Sequence, residues 1–126
     1  MKKIKLHLSS TKSIWADVLT NEKDQAKGYM YVEKIPDNEG KLFVYHKPSS
    51  KSFWMKNVKV PLDVVSLDSN GKILDVVTLQ PSFGKKIINQ TTTPSGTYCV
   101  LEVRGGLMKK HGIKKGMRII ASNSGN

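Results

Sequence analysis

Short apolar runs that alternate with polar residues, broken repeatedly by turn formers, constrain this chain more than any other feature. Ile4, Leu6 and Leu8 alternate with Lys5 and His7, the pattern of a strand with one buried face. Ser9-Ser10-Thr11-Lys12 reads as a turn, and Ile14, Ala16 and Val18 form a second alternating set. Together they predict a hairpin. Further strands are expected at 42–45, 52–60, 64–67, 73–77, 97–103 and 117–120. Asn70-Gly71 lies between two of these runs, and both residues tolerate positive φ, so a second hairpin is expected there. Only two short segments read as helix. One covers 22–27, capped by Thr20 or Asn21 and closed by Gly28; the other covers 107–111 and ends at Gly112. Residues 81–96 read as a polar loop with at most a brief strand at Ile87-Ile88. The expected fold class is mainly β. It is a small barrel-like or tightly packed sandwich of six to eight short strands with two short helices, because closure removes exposed edges.

At 126 residues the chain is expected to form one β-rich domain over 1–121, with a frayed tail over 122–126. That length buries a core without covalent staples. The single Cys99 cannot form an internal disulfide and reads as a small buried hydrophobe. No apolar run is long enough to span a membrane. The basic start, Met1-Lys2-Lys3, lacks the apolar stretch of a signal peptide. The chain is therefore expected to be cytoplasmic, or a mature exported form whose leader has been removed.

The formal charge of +11 suggests an acidic partner or nucleic acid. The detail weakens that reading. Only Arg104 and Arg118 are arginines, and the lysines are scattered from Lys2 to Lys115, which fits a solvated surface better than guanidinium readout of phosphate or bases. The densest basic cluster, Lys109, Lys110, Lys114, Lys115 and Arg118, is a weak candidate for binding anions.

The run Ser52-Phe53-Trp54-Met55-Lys56-Asn57 with Pro61-Leu62-Asp63 after it is the best candidate for a site. Read as one strand, it places Phe53, Met55 and Asn57 on one face and Trp54 and Lys56 on the other. Trp54, Met55, Lys56, Asn57 and Asp63 are the candidate ligand contacts. Trp54 suits a planar or sugar face, Lys56 an anionic group, and Asn57 a carbonyl or hydroxyl. Asp63 serves as a base only if burial raises its pKa. The competing reading is a structural polar network that pins a bend. His7, His46 and His111 have no metal-ligand spacing, no second carboxylate stands at a hydrolytic spacing, and no glycine-rich phosphate loop or other cofactor motif is present. No catalytic, metal or cofactor assignment follows.

The order of these pieces resembles an uncharacterised bacterial and archaeal family called domain of unknown function 192. The resemblance runs from about Ala16 to Ile120. It is carried by Phe53-Trp54-Met55-Lys56-Asn57 with Pro61-Leu62-Asp63, by Ala26-Lys27-Gly28-Tyr29-Met30, and by Gly40 to Tyr45. Leu101-Glu102-Val103 before Gly105-Gly106, and His111 to Gly116, add to it. The chain departs from the family's usual residues at Tyr29, Lys41 and Met117, where leucine, methionine and aspartate are the rule, and near Val32, where an arginine is. The resemblance implies a compact β fold, often exported or envelope-anchored, and no reaction. The functional expectation is a non-catalytic binding or accessory domain with a small-ligand pocket at the Trp54 strand. The alternatives are a polyanion-binding module using the lysines and an enzyme centred on Asp63 and Lys56.

Overall fold

The structure is a computed structural model that describes residues 2–122. It is mainly β, with nine strands and two short helices. Strands β1 (Lys3–His7) and β2 (Ser13–Leu19) form the expected antiparallel hairpin. Helix α1 (Glu22–Lys27) follows, with the Asn21 side chain accepting from the Asp24 N–H and acidic residues in its first turn, where the helix dipole favours them. The helix carries the chain across to β3 (Glu39–Val44), which pairs parallel to β2. Strand β4 (Ser52–Trp54) is followed by β5 (Leu62–Leu67) and β6 (Ile73–Leu79), which make the hairpin expected around Asn70-Gly71. Then come β7 (Gln90–Thr92), β8 (Cys99–Arg104), helix α2 (Leu107–Lys110) and β9 (Ile120–Ala121).

Seven strands form one sheet in the order β6-β5-β8-β3-β2-β1-β9, and β4 pairs with β7 in a separate ribbon. The large sheet curls so that its two ends meet. The segment leading into β9 bonds to the start of β6, with Ile73 N–H donating to Met117 O at 2.7 Å and Ile119 N–H to Gly71 O at 2.9 Å. This is the closure that the short, edge-free strands called for.

Alternation then sorts the side chains into two cores. Leu6, Leu8, Ile14, Leu42, Val65, Leu101 and Val103 fill the inside of the curl, capped by Leu107 and Met108 of α2. The opposite face of the sheet carries Leu19, Phe43, Leu62, Val64 and Val100, and packs against Tyr29, Met55 and Val58 from the covering segments. This outer layer positions the candidate site.

The last strand, expected at 117–120, is confined to Ile120–Ala121, and two further expectations differ from the fold. The run 52–60 is not one strand. It stops at Trp54 and turns, with Val58 N–H donating to Met55 O at 3.0 Å and Asn57 at φ 61°, a left-handed conformation that asparagine tolerates. The brief strand expected at Ile87-Ile88 lies instead at Gln90–Thr92, because pairing with Ser52–Trp54 decides it rather than local apolarity. Of the tail 122–126, Ser122 is held by its N–H to Lys5 O at 2.8 Å, and 123–126 lie outside the described residues.

Gly105 marks a tight crossing. A Cβ there would lie 2.5 Å from Pro61 Cβ and 2.9 Å from its carbonyl carbon, while Gly105 N–H donates to Pro61 O. Gly105→Ala is expected to destabilise the fold by about 1–3 kcal/mol through overpacking. The check is a lower denaturation midpoint at unchanged m-value.

Candidate functional site

A row of charges crosses the outer face of the sheet. Register places Lys3 opposite Asp17, Asp17 opposite Lys41, Lys41 opposite Glu102, and Glu102 opposite Val64. The row runs from water into the second core. At its wet end Lys3 Nζ lies 2.7 Å and Lys41 Nζ 3.3 Å from the Asp17 carboxylate. Partial burial works to raise the Asp17 pKa, but the hydrogen bonds from Lys3 and Lys41 outweigh it and hold the carboxyl below its ordinary value.

At its dry end Glu102 is buried, 5% exposed. Its natural partner, Lys41, is drawn towards Asp17 and over the Tyr29 ring, 4.9 Å from the centroid. Desolvation therefore dominates at Glu102 and pushes its pKa up to about 8, against a smaller opposing pull from Lys41. No hydrogen bond from the described residues offsets that burial. At neutral pH Glu102 is mostly a neutral acid with a proton to donate.

Glu102 forms part of the floor of a cleft of about 230 Å³. Tyr29 beyond α1, Phe43 and Tyr45 at the end of β3, and Phe53 and Trp54 of β4 give its aromatic walls. Phe43 and Phe53 meet edge to face, with centroids 5.2 Å apart, a favourable arrangement of ring quadrupoles. Gln25 anchors α1 beside the cleft. Its amide donates to Leu19 O and Val44 O at 3.0 and 3.1 Å. Gly28 sits above the acid, where a Cβ would stand 3.5 Å from Glu102 Oε1. Burial first, and the Glu102 charge second, push the hydroxyl pKa values of Tyr29 and Tyr45 upward, so both stay protonated.

The five candidate ligand contacts do not converge. Trp54 is 53% exposed and walls the cleft, with the Lys56 ammonium 5.3 Å from its ring centre. Met55 is fully buried in the second core. Asn57 forms the turn, and its carbonyl accepts the Tyr31 N–H at 2.8 Å. Asp63 is buried at the start of β5, next to Leu62 of the cleft but outside its lining, and its carboxylate accepts from Thr78 Oγ1 at 2.6 Å and from the Gly106 and Met108 N–H groups at 3.0 Å each. It caps α2 from a neighbouring strand.

The basic cluster also divides. Lys109, Lys114 and Lys115 border a hollow that contains Asp63 and Asp75. Lys110 turns to Asp37 at 3.0 Å, and Arg118 lies beside His7 and Ile120. Among the described residues no group of three His, Cys, Asp or Glu side chains is placed to hold a metal ion. No helix among them is long and apolar enough to cross a membrane.

Glu102 is not among the candidate site residues that the sequence marks. The available signal was a carboxylate at the centre of the apolar run Val100-Leu101-Glu102-Val103, which either finds a partner or titrates abnormally.

The fold is shared with two crystal structures. One is of a protein from Sinorhizobium meliloti 1021 provisionally named a transcription regulator, 22% identical, with a TM-score of 0.79 over 94% of this chain and 92% of that one. The other is of a protein of unknown function from Novosphingobium aromaticivorans DSM 12444, 23% identical, with a TM-score of 0.77 over 94% of this chain and 83% of that one. No curated protein matches the chain. The sequence profile of DUF192, described as an uncharacterized ACR, matches residues 4–121. With that match spanning nearly all of the sheet and both helices, the chain belongs to the DUF192 family, whose function is uncharacterised.

Proposed function

We propose that the protein is a binding domain for a small, neutral, polar molecule with one flat apolar face, such as a saccharide unit or a heterocycle. One observation carries this reading: the Glu102 side chain, buried in the sheet and with no hydrogen bond from the described residues, turns its carboxyl to an aromatic cleft. Through the cleft the carboxyl can meet a ligand acceptor in place of water. The aromatic walls supply apolar contact on the remaining sides. A neutral ligand is favoured because the acid is neutral when buried, and ionising it against an anion would add repulsion to desolvation. The cleft is below the usual size of a drug-binding pocket, roughly 300–1,000 Å³, so the ligand is small. No nucleophile–base pair lies among its lining residues, so the reading is recognition rather than reaction.

The test is a thermal-shift screen of neutral saccharides and heterocycles against the whole chain. A true ligand raises the Tm at pH 6 and loses affinity as pH rises through about 8, where Glu102 loses its donor. Trp54→Ala, at an exposed position, should weaken the hit about tenfold or more while leaving the apo Tm nearly unchanged. Hits that ignore both the pH and Trp54→Ala would refute the cleft as the site.

A further inference from the structure

Beside the cleft, the loop 82–89 presents a surface that the proposed binding function does not use. Its base is pinched by Asn89, whose N–H donates to Ser82 Oγ at 2.8 Å and whose side-chain amide donates to Gln80 O at 2.9 Å. Asn89 O also accepts the Met55 N–H at 2.9 Å, which ties the loop to the turn after β4. From this fixed base Phe83 and Ile87 project into solvent, Ile87 at 84% exposure. Phe83 meets the exposed Tyr31 ring edge to face at 6.4 Å. Lys85 and Lys86 lie between the two apolar tips. Lys59 stands 5.1 Å from the centre of the Phe83 ring, and Lys56 covers Trp54.

We infer that this edge of the molecule docks on an anionic phospholipid surface. Exposed apolar tips with lysines beside them are what an interfacial site requires: side chains that enter the acyl boundary and ammonium groups that stay with the phosphates. The chain's +11 charge adds a long-range attraction of the same sign. Single-stranded nucleic acid is the competing polyanion, and the geometry favours lipid. A lysine already covers a face of Phe83, the aromatic tip of the loop, which hinders base stacking there. The most exposed tip, Ile87, is aliphatic and has no stacking face. Lysine also suits lipid phosphates as a point charge, whereas bidentate readout favours arginine.

Co-sedimentation of the whole chain with phosphatidylcholine vesicles, with and without phosphatidylglycerol, tests this. Binding is expected only when phosphatidylglycerol is present, and to fall with salt. Lys85→Glu with Lys86→Glu should lower partitioning by roughly twentyfold or more, and Phe83→Ser with Ile87→Ser by roughly tenfold or more. All four positions are exposed, none belongs to either core and none lines the aromatic cleft, and an unchanged Tm for each variant checks that the fold is kept. Three results would overturn the inference. One is no binding to anionic vesicles at low salt. Another is that Phe83→Ser with Ile87→Ser leaves binding intact while Lys109→Glu with Lys114→Glu reduces it, as a mere net-charge effect would. The third is that single-stranded DNA, but not lipid, depends on Phe83 and Ile87.

Discussion

Asp63→Ala is expected to destabilise the fold by about 3–5 kcal/mol, a large share of a domain's usual stability of about 5–15 kcal/mol. The carboxylate is buried, and both its oxygens are engaged: Oδ1 accepts from Thr78 and the Gly106 N–H, Oδ2 from the Met108 N–H. Removing it takes the acceptor from two backbone donors at the start of α2, one of them on the buried Met108, and from the exposed Thr78 hydroxyl. Asp63→Asn keeps the shape yet should still cost about 1–3 kcal/mol. Its amide nitrogen must replace one oxygen, and either choice turns it against a backbone N–H. Thr78→Val removes one neutral-donor bond and should cost about 1 kcal/mol. Chemical denaturation of the three variants checks the order Ala, then Asn, then Val. An Asp63 whose role were chemical or ligand-directed would show the reverse signature, with stability kept and binding lost. Lys56→Ala provides the contrast, since Lys56 is exposed and its cation–π contact with Trp54 is worth about 1 kcal/mol at most at such a site.

Patterns that rest on near neighbours were legible in the sequence, and those that rest on distant register were not. The β1–β2 hairpin, the Asn21 cap and the hairpin at Asn70-Gly71 depend on residues within a few positions of one another, and all three are present. The run from Ser52 to Val60 has the composition of a strand, and its two faces were read accordingly. The chain turns at Lys56-Asn57 instead, and Asn57 supplies a left-handed residue rather than a ligand contact. Strand β7 has only Gln90, Thr91 and Thr92, with no apolar alternation; its partner β4 is far away in sequence. Glu102 was visible as a carboxylate in an apolar run. That Lys41 would stand opposite it, and yet be drawn to Asp17, follows only from three strands in register. Trp54 stood out in the sequence as an aromatic in a run that also carries Lys56 and Asn57, and in the fold it lines the cleft. The partners that make its cleft, Tyr29, Tyr45 and Glu102, come from three other parts of the chain.

Glu102→Gln should turn a pH-sensitive protein into one whose stability is nearly flat from pH 5 to 8. In the unfolded chain the carboxyl titrates near its ordinary 4.5, and in the folded state at about 8. A folded-state pKa raised this way favours the protonated native form. The contribution is fully present below about pH 4.5 and is lost as pH rises towards 8, with a slope approaching 1.4 kcal/mol per pH unit between the two values. Across pH 5 to 8 the loss is on the order of 3 kcal/mol, or roughly 10 °C in Tm for a chain of this size. Above pH 8 both states are ionised and the slope vanishes. The lowered carboxyls, Asp17, Asp37 and Asp68, act with the opposite sign and in a more acidic range. Their contribution is lost as pH falls below about 4, so it does not obscure this window. Glutamine keeps the volume and a donor but cannot ionise, so the variant should match the wild type near pH 5 and exceed it by a widening margin towards pH 8. Parallel Tm curves for the two proteins would mean that Glu102 ionises freely in the folded state. In that case the cleft floor carries a charge, and a cationic ligand would replace the neutral one. If the curves diverge as expected, any ligand that satisfies the acid should stabilise the wild type most at low pH and lose that advantage above pH 8. The same titration then reports both the cost of burying Glu102 and what its proton is for.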